Sequence, residues 1–178
     1  MTNQELDQAA GLRAWAAASK SEAPHANTQR ASESGPSGSR ASASDRSREK
    51  TQNLLVIAHP YSTEVATHAS EAILRYHQEG RQWVGDPNQW NIVVRSPLDE
   101  DFLEYAQRFG RWALWLDTDV QGFQRAYHTL KDLQHRCSKT PRMLLMHPPV
   151  QSRRGLVNNV QQIARDFFQI ELLVLQRA

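Results

Sequence analysis

NLLVIAHPYSTEVATHASEAILRYHQEG, residues 53–80, is the stretch whose reading decides the fold. Its first part, Asn53 to His59, is a short continuous apolar run closed by Pro60, which suits a strand buried on both faces rather than a one-faced helix. A helix follows by pattern: Ser62 or Thr63 stands at a capping position, Val65, Ala69, Ala72, Ile73 and Tyr76 share one stripe, and Gly80 stops it. Strand, turn and helix in this order form the first half of a parallel β-α-β unit.

The same alternation continues toward the C-terminus. Trp90 to Arg95 reads as a second strand closed by Ser96-Pro97, and Leu98 to Arg111 as a helix with Phe102, Tyr105, Ala106 and Phe109 inward. Trp112 to Asp117 is a third strand, and Phe123, Ala126, Tyr127, Leu130 and Leu133 mark an amphipathic helix. Pro141 breaks the chain before a fourth strand, Arg142 to His147. A last helix over Ser152 to Phe168, with Leu156, Val160, Ile163, Ala164 and Phe167 as its stripe, leads to a fifth strand, Ile170 to Leu175. The expected fold is therefore α/β: a mostly parallel sheet of about five strands with helices on both faces.

Upstream the composition breaks. From Ala16 to Asn53 there is no Val, Ile, Leu, Met, Phe, Trp or Tyr, and residues 19–52 are crowded with Ser, Gly, Pro, Ala and isolated charges. Such a stretch cannot bury enough apolar surface to offset its ordering entropy, so it is expected to be a disordered linker. Three parts result: a short helix over residues 1–18, the linker over 19–52, and a compact α/β domain over 53–178.

Charge and hydropathy narrow the function. Lys and Arg total 21 against 19 Asp and Glu, and the near-balance holds on both sides of residue 52, so the basic stripe of a nucleic-acid binder is lacking. A mean hydropathy of -0.66 and the absence of a long apolar run argue against a membrane span. The opening residues lack the order of a secretory signal, position 2 is Thr2 rather than a myristoylated Gly, and a single cysteine allows no internal disulfide. A cytoplasmic protein without a membrane anchor is the expectation.

In parallel sheets the carboxyl ends of the strands carry ligand chemistry. The loop Ala58 to Thr67 contains neither glycine nor lysine, whereas a phosphate-cradling loop needs both. ATP hydrolysis is therefore not expected, although Ser62 and Thr63 lie at a helix N-terminus. Asp117 and Asp119 suit a metal position, but two acids two residues apart read better as a cap and solvated turn. His59 and His147 both follow strands but lack acidic or cysteine partners at ligand spacing. Cys137 lies between Arg136 and Lys139, which would lower its pKa, yet it also extends the stripe of Leu130 and Leu133 and reads better as a small buried hydrophobe. No cofactor and no metal are expected.

Two C-terminal stretches carry a family resemblance. Residues 143–175, MLLMHPPVQSRRGLVNNVQQIARDFFQIELLVL, look like the late strand-helix-strand of MinD-type ATPases, in particular the flagellar number and placement regulators FlhG and FleN. Residues 117–133, DTDVQGFQRAYHTLKDL, resemble that family's loop and Ala-Tyr-containing helix, with Ala126-Tyr127 and Leu130-Lys131 in place. The most specific match is N-terminal: Asp7-Gln8-Ala9-Ala10-Gly11-Leu12-Arg13 is similar to the family's DQAxxLR element in all five fixed positions. The resemblance implies a MinD-like sheet that has lost its phosphate loop. It further implies regulation of flagellar placement or number, by stimulating the GTPase of an FlhF-type, signal-recognition-particle-like partner that recruits the chain to the cell pole. The family's membrane-targeting helix has no counterpart before Ala178. A second class of function is a nucleotide-free module whose α/β domain binds a flagellar transcription regulator or a structural component.

The residues of the segment suit a binding helix independently. Thr2-x-x-Glu5 is a capping-box pattern, and the residues to Ala18 are strong helix formers apart from Gly11. Gln8, Leu12 and Trp15 share one face at i, i+4 and i+7. So short a helix is marginal alone, and with a linker behind it the segment is expected to fold on its partner. Asp7, Gln8, Ala9, Leu12, Arg13 and Trp15 are the expected contact residues. Gln8 is assigned to orient water or a switch segment in the partner's GTPase site, with Arg13 as an alternative charged finger. The chain itself is then no enzyme.

Overall fold

The computed structural model describes residues 3–18, 52–60, 62–149 and 154–175. Helix α1 spans Asn3–Ala17 and is followed by β1 (Gln52–Ile57), α2 (Thr63–Gln78), β2 (Trp90–Arg95), α3 (Phe102–Arg108) and β3 (Trp112–Trp115). Then come α4 (Gly122–Arg136), β4 (Met143–Met146), α5 (Arg154–Phe168) and β5 (Leu172–Val174). All five strands pair in parallel in the order β2-β1-β3-β4-β5. The α/β sheet with helices on both faces is thus as the sequence leads one to expect, and wholly parallel. The linker and the Thr2 cap lie outside the described residues, apart from Gln52, which begins β1.

Strand order and handedness assign the helices to faces. Connections between parallel strands are right-handed almost without exception. The step from β1 to β2 runs one way along the sheet, while the steps β2-β3, β3-β4 and β4-β5 run the other way, so α2 lies on one face and α3, α4 and α5 on the opposite one. Burial follows this division. Leu55, Ile57, Leu114, Met143, Leu145 and Leu172 join Phe102, Leu130, Leu133, Val160 and Ala164 in one core. Leu54, Val56, Ala113, Leu144, Met146 and Leu173 face the other way with α2.

One helix cannot cover that second face. α2 brings Val65, Ala69, Ala72, Ile73 and Tyr76 inward, ends at Gly80 (φ 75°), and packs near β2. The β5 side of the same face is met by α1. Trp15 belongs to this core and is 3% exposed, with Leu12 and Ala16 packed at its border. The expectation of a helix without a neighbouring core is therefore corrected: α1 has a core, and it is the face that right-handed crossovers leave bare.

Three local readings also shift. α3 begins at Phe102 rather than Leu98, because Ser96 and Asp99 bind backbone N–H groups in a turn: Ser96 N donates to Asp99 Oδ2 (2.8 Å) and Leu98 N to Ser96 Oγ (3.2 Å). The inward stripe of α5 is Val157, Val160, Ala164 and Phe168, one position on from the expected set at most places, so Phe167 is 72% exposed. Two overlapping stripes share Val160 and Ala164, and tertiary packing, against α4 as well as β5, selects between them. Tyr127, expected inward on α4, is partly exposed and meets Phe168 edge-on at 5.5 Å. Leu130→Ala should lower unfolding free energy by about 2–5 kcal/mol in urea titrations, whereas Phe167→Ser should change it by no more than about 0.5 kcal/mol.

Candidate functional site: the N-terminal helix and its seat

α1 is alanine-rich all round, and its one large aromatic, Trp15, selects the side that turns inward. Gly11 and Trp15 are buried, Gln8, Ala9, Leu12 and Ala16 are half-buried, and Ala10, Arg13, Ala14 and Ala17 are exposed. The expected contact residues are thus divided: Arg13 faces outward, Gln8, Ala9 and Leu12 lie at the border, and Trp15 is not available at the surface. Asp7 is on the helix, but its side chain lies outside the described residues. Trp15, expected to anchor the helix in a partner's groove, instead fills a groove of the chain's own domain.

Trp15 is held from several sides. Its indole Nε1 donates to the Trp112 carbonyl at the start of β3 (2.9 Å). Its ring stacks on Trp90 at 6.3 Å and 17°, and meets Trp83 edge-on at 5.3 Å and 87°. Trp90 is fixed in turn by its own Nε1 donating to Val84 O (2.8 Å). Offset and edge-on arrangements are those that aromatic quadrupoles favour, and each indole N–H finds the partner that burial demands.

Arg111 secures the end of the helix. The last carbonyls of an α-helix lack internal partners and carry partial negative charge, and α1 has no basic residue in its last turn. Arg111, 4% exposed and just ahead of β3, donates from one Nη to the Ala16 carbonyl and from the other to Gln52 Oε1 (3.0 Å). Its guanidinium lies 5.2 Å from the Trp90 ring and 5.8 Å from that of Trp15, a cation–π arrangement with both.

Gly11 shows how closely the helix is seated. A Cβ there would stand 2.8 Å from Leu173 Cδ2 and 3.3 Å from Glu171 Oε1, so the helix rests on β5 so closely that a side chain at this point would have to displace the ends of those two side chains. Glu171 is held by Arg142 at 2.6 Å. Beside this contact, Ala9, Leu12 and Arg13 share a groove of about 410 Å³ with the turn Gly80–Trp83. Arg111, Trp83 and Trp90 were not singled out by sequence reasoning. The one legible hint was Gly11, a helix-weakening residue among helix formers.

The opposite edge of the sheet holds the other candidates. Strand order reverses between β1 and β3, the place where doubly wound sheets take ligands. There Arg125 Nε binds Asp117 Oδ2 (2.8 Å) and its Nη2 binds Asp119 Oδ2 (2.5 Å), while Asp117 Oδ1 accepts from Trp115 Nε1 (2.9 Å). The two acids are therefore joined through one guanidinium, and Asp119 Oδ1 accepts from Gln121 N (3.0 Å) in a turn, while the cap half of the expectation is not seen: Gln121 stands at the N-cap of α4 with no side-chain bond. Gly122 closes this loop against the Asp117 carbonyl, which an added Cβ would overlap at 1.9 Å. His59 Nδ1 meets Ser96 Oγ at 3.2 Å and His147 Nδ1 meets Pro148 O at 2.7 Å, with β3 between their strands. Ser62 Oγ accepts from Glu64 N (3.1 Å), so a hydroxyl and an acidic residue occupy the first turn of α2, unfavourably for a phosphate. Burial pushes the Cys137 thiol up, with Arg136 opposing, as suits a residue packed at the core's edge.

Fold and site together define a three-layer, wholly parallel α/β protein whose second face is completed by its N-terminal helix. No family model, no curated protein and no solved structure matches the chain. Among the described residues no helix is long and apolar enough to cross a membrane, and no group of three or more His, Cys, Asp or Glu is placed to hold a metal.

Two measurements check the geometry. Trp15→Ala in the full chain should reduce unfolding free energy by about 3–5 kcal/mol; an independent helix would leave it unchanged. At the other edge, the hydrogen bond from Arg125 holds the Asp119 carboxyl below its ordinary value, with burial opposing and the Arg125 charge and the N–H groups of Gln121 and Gly122 adding to it. A lowered value favours the ionised form in the fold, so the contribution is present above the ordinary carboxylate range and lost as pH falls through the lowered one. Arg125→Gln should return the Asp119 midpoint toward the ordinary range in an NMR titration of the side-chain carboxyl.

Proposed function

We propose that this protein is a regulator of flagellar placement or number that binds an FlhF-type GTPase through the Asp7–Arg13 element and stimulates its hydrolysis of GTP. The observation that carries the reading is that the whole element lies within one continuous helix, Asn3–Ala17. A helix presents residues at i and i+4 on one side, so Gln8 and Leu12 form a single contact edge, with Arg13 next to it.

The mechanism acts in trans. Hydrolysis of GTP by such enzymes is governed by positioning of water and neutralisation of developing charge rather than by covalent chemistry. The Gln8 amide both donates and accepts, which suits it to hold a water or a switch-segment backbone group in the partner's site. Leu12 supplies apolar contact, and the exposed Arg13 pairs with acidic groups at the rim. The α/β domain carries the helix, and the partner brings it to the cell pole.

Gln8→Ala should reduce the stimulated rate of GTP turnover by about 10²-fold, of the order of losing one positioned group, while changing affinity for the GTPase by less than about tenfold. Stimulated turnover with a titrated full-length chain separates the two quantities. Loss of affinity with unchanged turnover per complex would remove Gln8 from this role.

A further inference from the structure

The docked position of α1 covers part of the contact surface expected of the activator, leaving Arg13 outside. Leu12 is half-buried at the border of the second core, Trp15 is 3% exposed, and Gln8 lies on the same side of the helix. A partner groove that takes up Leu12 and Trp15 therefore competes directly with the sheet face for one surface. We infer that the docked helix is a latched form of the activator: the chain's own α/β domain withholds the Asp7–Arg13 element, and stimulation of the GTPase requires α1 to leave its seat. This inference rests on the reading of α1 as a GTPase activator and adds its regulation.

Three features make the seat a latch rather than a chance contact. First, the face over β5 lies opposite the crossover helices α3, α4 and α5, and α1 is what meets it among the described residues. Second, Gly11 weakens α1 as a free helix, and its lack of a side chain lets the helix rest against Leu173 and Glu171. A segment adapted only to an external groove has no need of that fit. Third, Arg111 provides the helix with a C-terminal cation and hydrogen bond from outside its own sequence, and these exist only in the docked position. Residues 19–51 contain no branched aliphatic or aromatic side chain, a composition suited to a tether that allows both positions.

The energetics set what release does. If only a fraction of molecules has α1 free, the apparent affinity for the GTPase is reduced by that fraction, while turnover in the saturated complex is unaffected. Loosening the seat therefore lowers the concentration needed for half-maximal stimulation and leaves the maximum in place. Both effects are read from one titration.

The test uses the full chain with Gly11→Gln, which obstructs the β5 contact at a variable position of the element, and Arg111→Met, which deletes the bond to Ala16 but keeps a long side chain over the tryptophans. Amide hydrogen exchange over residues 3–17 reports docking, exchange in β3 and β4 reports that the sheet remains folded, and GTP turnover by an FlhF-type GTPase is titrated in parallel. The expected result is loss of protection in α1, retained protection in β3 and β4, and a half-maximal concentration lower by about tenfold or more at unchanged maximum. Loss of protection with an unchanged titration overturns the latch and leaves the activator reading in place, since the partner then reads the docked helix. Retained protection in both variants overturns the latch as well, because the named contacts then do not hold the helix. An unstimulated GTPase with α1 free overturns the activator reading itself, and the latch with it.

Discussion

Right-handed crossovers leave part of one sheet face bare, and the remaining architecture depends on how that face is covered. The order β2-β1-β3-β4-β5 makes one step in one direction and three in the other, which assigns one connecting helix to the first face and three to the second. Leu144, Met146 and Leu173 point to the face with one helix and are fully or almost fully buried. Apolar side chains on a central parallel strand cannot stay in water without forfeiting the burial that stabilises the sheet. α1 meets this demand, which ties the first residues of the chain to its last strand.

The manner of covering explains the tryptophans. Trp15, Trp83 and Trp90 form one cluster around the amino end of the sheet, with Arg111 against two of the rings. Placing a guanidinium at 4% exposure is unfavourable unless its donors and charge are matched. The Ala16 carbonyl and the Gln52 amide oxygen each take a bond from one of its Nη atoms, and the faces of two indoles lie against its charge. Arg111 thereby joins the end of α1 to the beginnings of β1 and β3 in a single polar junction within an otherwise apolar layer.

The main-chain architecture was legible in the sequence because it rests on local signals. The run Leu54 to Ala58, the stripe from Val65 to Tyr76 and the punctuation at Pro60, Gly80 and Pro141 each report strand, helix or turn through residues close in sequence. Where two local patterns overlapped, as in α5, packing against α4 and β5 decided, and Phe167 moved to the surface. The docking of α1 was not legible for a different reason. Trp15 and Trp112 are separated by 97 positions, and a helix with an amide, an aliphatic and an aromatic on one face looks the same whether its groove belongs to a partner or to its own domain. Only the count of crossovers per face, which needs the strand order, shows that a helix is wanted there. Gly11 was visible all along, but its meaning depends on Leu173 lying beneath it.

The two edges of the sheet have been put to opposite uses. At the carboxyl edge, where parallel sheets commonly accept ligands, the polar groups are turned on one another: Arg125 joins Asp117 to Asp119, His59 meets Ser96, and Arg75 donates to the His147 carbonyl at 3.3 Å. Gly122 packs its backbone against the Asp117 carbonyl in the loop that would otherwise line a crevice. At the amino edge the contacts are aromatic and stacking, with few hydrogen bonds whose loss strands a buried group, namely those of Trp15 and Arg111. A helix held mainly by stacking and by one face of apolar contact can exchange that face for another of similar chemistry, because the interactions it loses are those it regains. A network of paired charges does not transfer in this way, since each partner left behind is unsatisfied. Among the described residues, then, the carboxyl edge pairs its polar groups with one another, while the amino edge seats α1 mainly through aromatic and apolar contact. That division distinguishes α1, whose contacts are mostly of a transferable kind, from the strand ends, whose described polar groups are committed to one another.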